Sequence, residues 1–160
     1  MTIRTTTTEP LDNQQVPVQA KLAAAWTSFM FLYIYVDILN FFKPGVIDEL
    51  RAGRVFAFNI SATLLTIFLV SVSIPALMAV LSMTLSARAN RTTNLVVASL
   101  LIPYTAFNAA GETWQWAAFY AISIGIEMLL LAFILRSAWK WPRTAPSATI
   151  VAGSSPTAAR

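Results

Sequence analysis

The chain has 160 residues, 57% of them hydrophobic and 11% charged, with a net charge of +4. Ordinary soluble domains lie nearer about 45–50% apolar and about 25% charged, so lipid rather than water is the expected main solvent. Cysteine and histidine are both absent, which excludes disulfides, thiol nucleophiles, Cys/His zinc sites and imidazole acid–base chemistry.

Residues 1–20 are polar and rich in threonine, and they read as a flexible N-terminal segment. The first apolar block, about residues 22–42, is long enough at 1.5 Å per residue to cross about 30 Å of hydrocarbon. It lacks a small-x-small cleavage pattern and is too long for a signal-peptide core, so it is expected to stay as a membrane span. Asp37 lies within it. A charged carboxylate at a helix centre costs about 2.5–3.5 kcal/mol on insertion scales, so its surroundings must offset that charge or use it. Tyr33 at i−4 and Asn40 at i+3 share its helix face and offer a phenol and an amide. Two uses are open: a structural polar clasp, or a site for a proton, cation or ligand.

"KPGVIDELRAGR" follows, at residues 43–54. Pro44 and Gly45 break the first span, Asp48 and Glu49 suit a helix N-terminus, and Gly53 suits a helix end. This predicts a short interfacial helix, either a plain connector or a lid. Val55 to Ala87 carries no charge, and a second span is expected at about 58–82, tilted or bent at Pro75. Asn59, Thr63, Thr66 and Ser73 fall on one face of it, suited to helix packing or to a pocket lining.

A third span is expected at about 93–111, with a kink at Pro103. Asn94, Ala98, Leu101, Thr105 and Asn108 share one of its faces, and Tyr104 lies one turn before Asn108. The preceding "RANRTTN" reads as a basic loop whose Asn or Thr caps that span. The fourth span, about 113–135, is interrupted only by Glu127, on one face with Trp116, Tyr120 and Ser123. No basic residue lies at its depth, so a neutral carboxyl is the simplest expectation, serving in proton handling, in substrate binding or as an interhelical hydrogen-bond donor. Residues 138–160 are basic, then rich in Pro, Ser, Thr and Ala, and form a tail.

The expected fold is therefore all-α: a transmembrane four-helix bundle over residues 21–137 with a short interfacial helix between helices 1 and 2. Eight lysines and arginines fall on the side of the termini and three on the other, which predicts an inner (plasma) membrane protein with both termini cytoplasmic. Asn40, Asn59 and Asn108 fall at similar depth to Asp37. Together with Tyr33, Thr63, Tyr104 and Glu127 they are the candidates for an outward-opening polar pocket.

The runs "YIYVDILNFFKPGVIDEL" (33–50) and "LSMTLSARANRTTN" (81–94) resemble a family of small bacterial four-helix membrane proteins of unknown function. The likeness covers about residues 20–137 and is carried by Tyr33, Asp37, Pro44, Gly45, Arg88, Ala89, Asn90, Arg91 and Asn94. It implies fold and topology but no activity.

Function remains open between classes. The leading expectation is binding or passage of a small solute or proton through the polar interior. The alternatives are a structural or regulatory subunit packed on a larger membrane partner, and a transporter like the small multidrug exporters. The lipid bilayer is the expected surrounding, and a homo-oligomer is a further expectation. No phosphate loop, metal-ligand cluster, Schiff-base lysine or nucleophile–base pair is visible, so no cofactor, metal or catalytic residue is expected. The basic residues flank apolar blocks, so nucleic acid is not an expected partner.

Overall fold

A computed structural model describes residues 15–108 and 113–141. The elements run α1 (Val18–Asn40), α2 (Val46–Arg51), strands β1 (Arg54–Val55) and β2 (Phe58–Asn59), α3 (Ala62–Thr84), α4 (Ala87–Phe107), a 3₁₀ turn (Trp114–Trp116) and α5 (Ala117–Trp139). The flexible head expected at 1–20 lies outside the described residues up to position 14, and the tail lies outside them from position 142.

Local chemistry sets the boundaries. Helix α1 starts after Pro17, whose carbonyl accepts the Lys21 amide at 3.1 Å. It stops short of Pro44, and Gly45 then adopts a left-handed φ of 85° that turns the chain into α2. Ser61 caps α3 by accepting the Leu64 amide at 3.1 Å. Both interior prolines, Pro75 and Pro103, are carried within continuous helices.

Two features depart from the sequence reading. A two-stranded antiparallel hairpin, with Arg54 opposite Asn59 and Val55 opposite Phe58, precedes α3, so that helix begins at Ala62 rather than near 58. Only Leu85 and Ser86 separate α3 from α4, so "RANRTTN" is the first part of α4 rather than a loop. No glycine or proline interrupts residues 87–102, and the helix continues through them.

The bonds between helices fix their directions. Trp26 and Tyr33 of α1 bond to Asn94 and Tyr104 of α4 respectively, so those two helices run parallel. Tyr120 near the start of α5 bonds to Asn40 at the end of α1, and Arg91 near the start of α4 bonds to Ala138 near the end of α5. Helix α5 is therefore antiparallel to both. The end where α1 and α4 begin is called lower here, and the end where they finish upper. Helix α1 packs against α3 and α5, α5 packs against α4, and α3 meets α4 mainly near their short connection.

The buried stripe of α1 is Leu22, Ala25, Trp26, Phe29 and Tyr33. That of α4 is Asn90, Asn94, Ala98, Leu101 and Thr105, and that of α5 is Tyr120, Ser123, Glu127, Leu131, Ile134 and Ala138. These steps of three and four residues hold each stripe on one helix face. Outside the stripes, large apolar side chains such as Phe31, Leu69, Leu100 and Leu129 are exposed. Among the described residues, Val18–Asn40, Ala62–Thr84 and Trp114–Trp139 are long and apolar enough to cross a membrane.

Candidate functional site

The three stripes stack in layers. At the upper level the Tyr33 and Tyr104 hydroxyls meet at 2.9 Å across the bundle, and their rings stack with centroids 6.5 Å apart. Glu127, close to the middle of α5, is 3% exposed, and Thr105 of α4 is fully buried. Thr105 faces the Glu127 carboxyl, near enough to interact yet outside hydrogen-bonding geometry. Thr105 Oγ1 and Glu127 Oε2 are thus buried without a hydrogen-bond partner among the described residues. Asp37 is exposed, one turn from the end of α1, and lies near enough to act electrostatically on both Tyr33 and Glu127.

Below this level is an apolar layer containing Phe29, Ala98, Leu101 and Leu131. Below that again is a second polar cluster. Trp26 Nε1–H donates to Asn94 Oδ1 at 2.6 Å. Asn94 Nδ2 donates to Asn90 Oδ1 at 2.6 Å and to the Asn90 carbonyl at 2.9 Å. Asn90 Nδ2 in turn donates to the Ser82 carbonyl at 2.6 Å. All four residues are fully buried. Outside the cluster, Arg91 Nε donates to the Ala138 carbonyl at 3.2 Å, and its guanidinium lies 5.7 Å from the Trp139 ring centre. That arrangement supplies a donor to the last turn of α5.

At the upper rim, Lys43 Nζ donates to the Tyr120 hydroxyl at 2.5 Å. The ammonium lies 4.3 Å from the Tyr120 ring centre, 5.2 Å from that of Trp116 and 5.7 Å from that of Phe119. The Tyr120 hydroxyl in turn donates a hydrogen bond to Asn40 Oδ1 at 3.1 Å. The C-terminal end of α1 is thereby fastened to the start of α5.

Of the eight residues expected to form one pocket, Tyr33, Tyr104, Asp37 and Glu127 gather at the upper level, and Asn108 interacts with Tyr33 from an exposed position. Asn40 belongs to the rim with Tyr120. Asn59 is exposed in β2 and Thr63 is exposed on α3, and neither is brought to this group by a hydrogen bond among the described residues. Three other α3 hydroxyls turn back on their own helix: Thr66 donates to the Ala62 carbonyl at 2.8 Å, Ser71 to Ile67 at 3.0 Å and Ser73 to Leu69 at 2.7 Å. The lower cluster was not singled out from sequence. Its signal was Asn90 and Asn94 one helical turn apart with a tryptophan whose N–H needs an acceptor.

The fold and its buried polar layers define a helical protein whose most apolar helices match the thickness of a bilayer. The chain belongs to a family of unknown function, DUF6326, whose sequence profile matches residues 13–143. No curated protein and no solved structure matches it.

Proposed function

We propose that the protein is a four-span integral membrane protein of the inner (plasma) membrane, with both termini cytoplasmic, which binds or passes a small solute or a proton at its upper polar layer. Helix α4 is the span that most needs argument, because its composition is the least apolar. Its polar residues Asn90, Asn94 and Thr105 are buried, while Val96, Leu100 and Phe107 are exposed on its other faces. A helix with its polar groups turned to protein and its apolar face turned outward suits a place within a membrane bundle. The excess of eight lysines and arginines over three supports the orientation, and α2 and the hairpin then lie at the outer surface.

One observation supports the functional reading: Glu127 Oε2 and Thr105 Oγ1 are buried and neither has a hydrogen-bond partner among the described residues. An unsatisfied ionisable group inside a bundle is costly to keep, and a use in binding accounts for its presence. Purified protein in proteoliposomes containing a pH-reporting dye tests the reading. A solute- or proton-driven signal should be lost in Glu127→Gln and in Asp37→Asn, and unchanged signals in both variants would remove the idea.

A second reading, a structural or regulatory subunit, draws on α3. Its upper half exposes Leu65, Ile67, Leu69 and Val70, and α3 meets α4 mainly near the lower turn. Copurification of one partner at fixed stoichiometry would favour this reading. A multidrug exporter built as an antiparallel dimer is disfavoured, because such dimers need little charge bias between the two sides. Equal populations of C-terminal reporter on both sides of the membrane would reverse that judgement.

A further inference from the structure

Resting on the reading of the upper layer as a binding site, we propose that its ligand is one small, dehydrated monovalent cation, held between Glu127 and Thr105 and admitted only from the Asp37 end. The two unpartnered atoms, Glu127 Oε2 and Thr105 Oγ1, are both oxygens and both buried. The Thr105 hydroxyl acts on the Glu127 carboxyl, and a cation ligated by both oxygens would satisfy them together.

The chemistry of the surroundings selects the class of particle. The polar side chains that α1, α4 and α5 contribute at this level end in oxygen, namely the Tyr33 and Tyr104 hydroxyls, the Ser123 hydroxyl one turn above Glu127 and the Asp37 carboxyl, while the Lys43 ammonium stands above them at the rim, bonded to Tyr120. Asn108 adds an amide at the rim. Among the described residues, the ion pairs are Arg51–Asp48 and Arg54–Glu49, both in the connector and hairpin, and neither involves Asp37 or Glu127. Oxygen ligands carrying negative charge suit a hard cation. The Tyr33 and Tyr104 rings also offer faces that attract an alkylammonium. Sodium and a primary ammonium ion share this chemistry.

Access follows from the layering. Asp37 is exposed at the upper end, whereas the layer with Phe29, Ala98, Leu101 and Leu131 and the bonded Trp26–Asn94–Asn90 cluster lie between Glu127 and the lower end. In this conformation a cation therefore enters and leaves by the same door.

The test is thermal unfolding of the full chain in lipid nanodiscs, titrated with sodium chloride or methylammonium chloride against choline chloride at equal ionic strength. A ligand that binds only the folded state raises the midpoint as its concentration passes Kd. Sodium, methylammonium or both should raise Tm by several degrees while choline does not. The shift should vanish in Glu127→Gln and in Thr105→Val, and Thr105→Ser should restore it. A sodium-only response assigns a metal ion, and a methylammonium-only response assigns a protonated amine. A shift that persists in Glu127→Gln and Thr105→Val overturns the site. A Tm that responds to pH through Glu127 but to no cation overturns the cation assignment and leaves proton binding, the broader reading, intact.

Discussion

The indole N–H of Trp26 and the amide oxygen of Asn94 meet at 2.6 Å, joining two helices whose contributing residues are 68 positions apart. Neither residue is exposed to any extent. Asn94 also bonds to Asn90, so one amide links α1 to the start of α4, and Asn90 carries the link on to the Ser82 carbonyl of α3.

Removing either partner should therefore weaken the lower half of the bundle, but unequally. Trp26→Phe deletes one donor, and about 1–2 kcal/mol is the expected loss for a single interhelical bond in a membrane. Asn94→Leu deletes both the acceptor for Trp26 and the donor to Asn90, and should cost more. Reversible unfolding in mixed micelles measures both. A larger loss from Trp26→Phe than from Asn94→Leu would contradict the assigned network.

The hydroxyl contact between Tyr33 and Tyr104, 2.9 Å long, is a pairwise term suited to a double-mutant cycle. Tyr33→Phe and Tyr104→Phe each remove one oxygen and preserve the stacked rings. The coupling energy should be about 0.5–1.5 kcal/mol, with the double variant less destabilised than the sum of the two singles. Additive losses would mean that the hydroxyls do not interact.

Phe56 sits at a φ of 50° in the turn of the hairpin, where a side chain is sterically disfavoured. Phe56→Gly should relieve roughly 1 kcal/mol of local strain. The Ile60 amide, which donates to the Gly53 carbonyl at 2.8 Å, reports on the hairpin. Its hydrogen exchange should slow in Phe56→Gly. Gly53→Ala should accelerate it, because Gly53 has a φ of 77°.

Among the described residues, Lys43 fastens α1 to α5 through its hydrogen bond to Tyr120 and the ring faces of Trp116, Phe119 and Tyr120. Lys43→Met keeps the apolar stem and removes the charge, and should cost about 1–2 kcal/mol of stability. Lys43→Arg should retain part of the interaction, since guanidinium also stacks on aromatic rings. A Lys43→Met protein as stable as the parent would show that the ammonium contributes nothing there.

Much of this architecture was legible from apolar block length and helical spacing. The blocks led to the three most apolar helices, and the three- and four-residue steps placed Asn94, Ala98, Leu101 and Thr105 on one face, which the structure buries. The hairpin was not legible, because its turn carries Phe56 and Ala57 instead of the glycine or asparagine that usually announces one. Asn90 reads from sequence as a loop or cap residue, and Asn94 as a possible cap besides its place on the helix face, since local rules favour that use of asparagine. Their buried role depends on partners outside those local rules, Trp26 for Asn94 and the Ser82 carbonyl for Asn90. The α3 hydroxyls were misleading for the opposite reason: Thr66 and Ser73 are satisfied within their own helix, and a shared face does not imply a shared site.

Under the four-span proposal, the polar cluster at the base of α4 also bears on how the chain would enter lipid. A segment carrying Arg88, Asn90, Arg91 and Asn94 in its first turns partitions poorly when it leaves the translocon alone. Its amides find their partners on Trp26 of α1 and Ser82 of α3, so under the four-span proposal α4 would settle in lipid only beside those two helices.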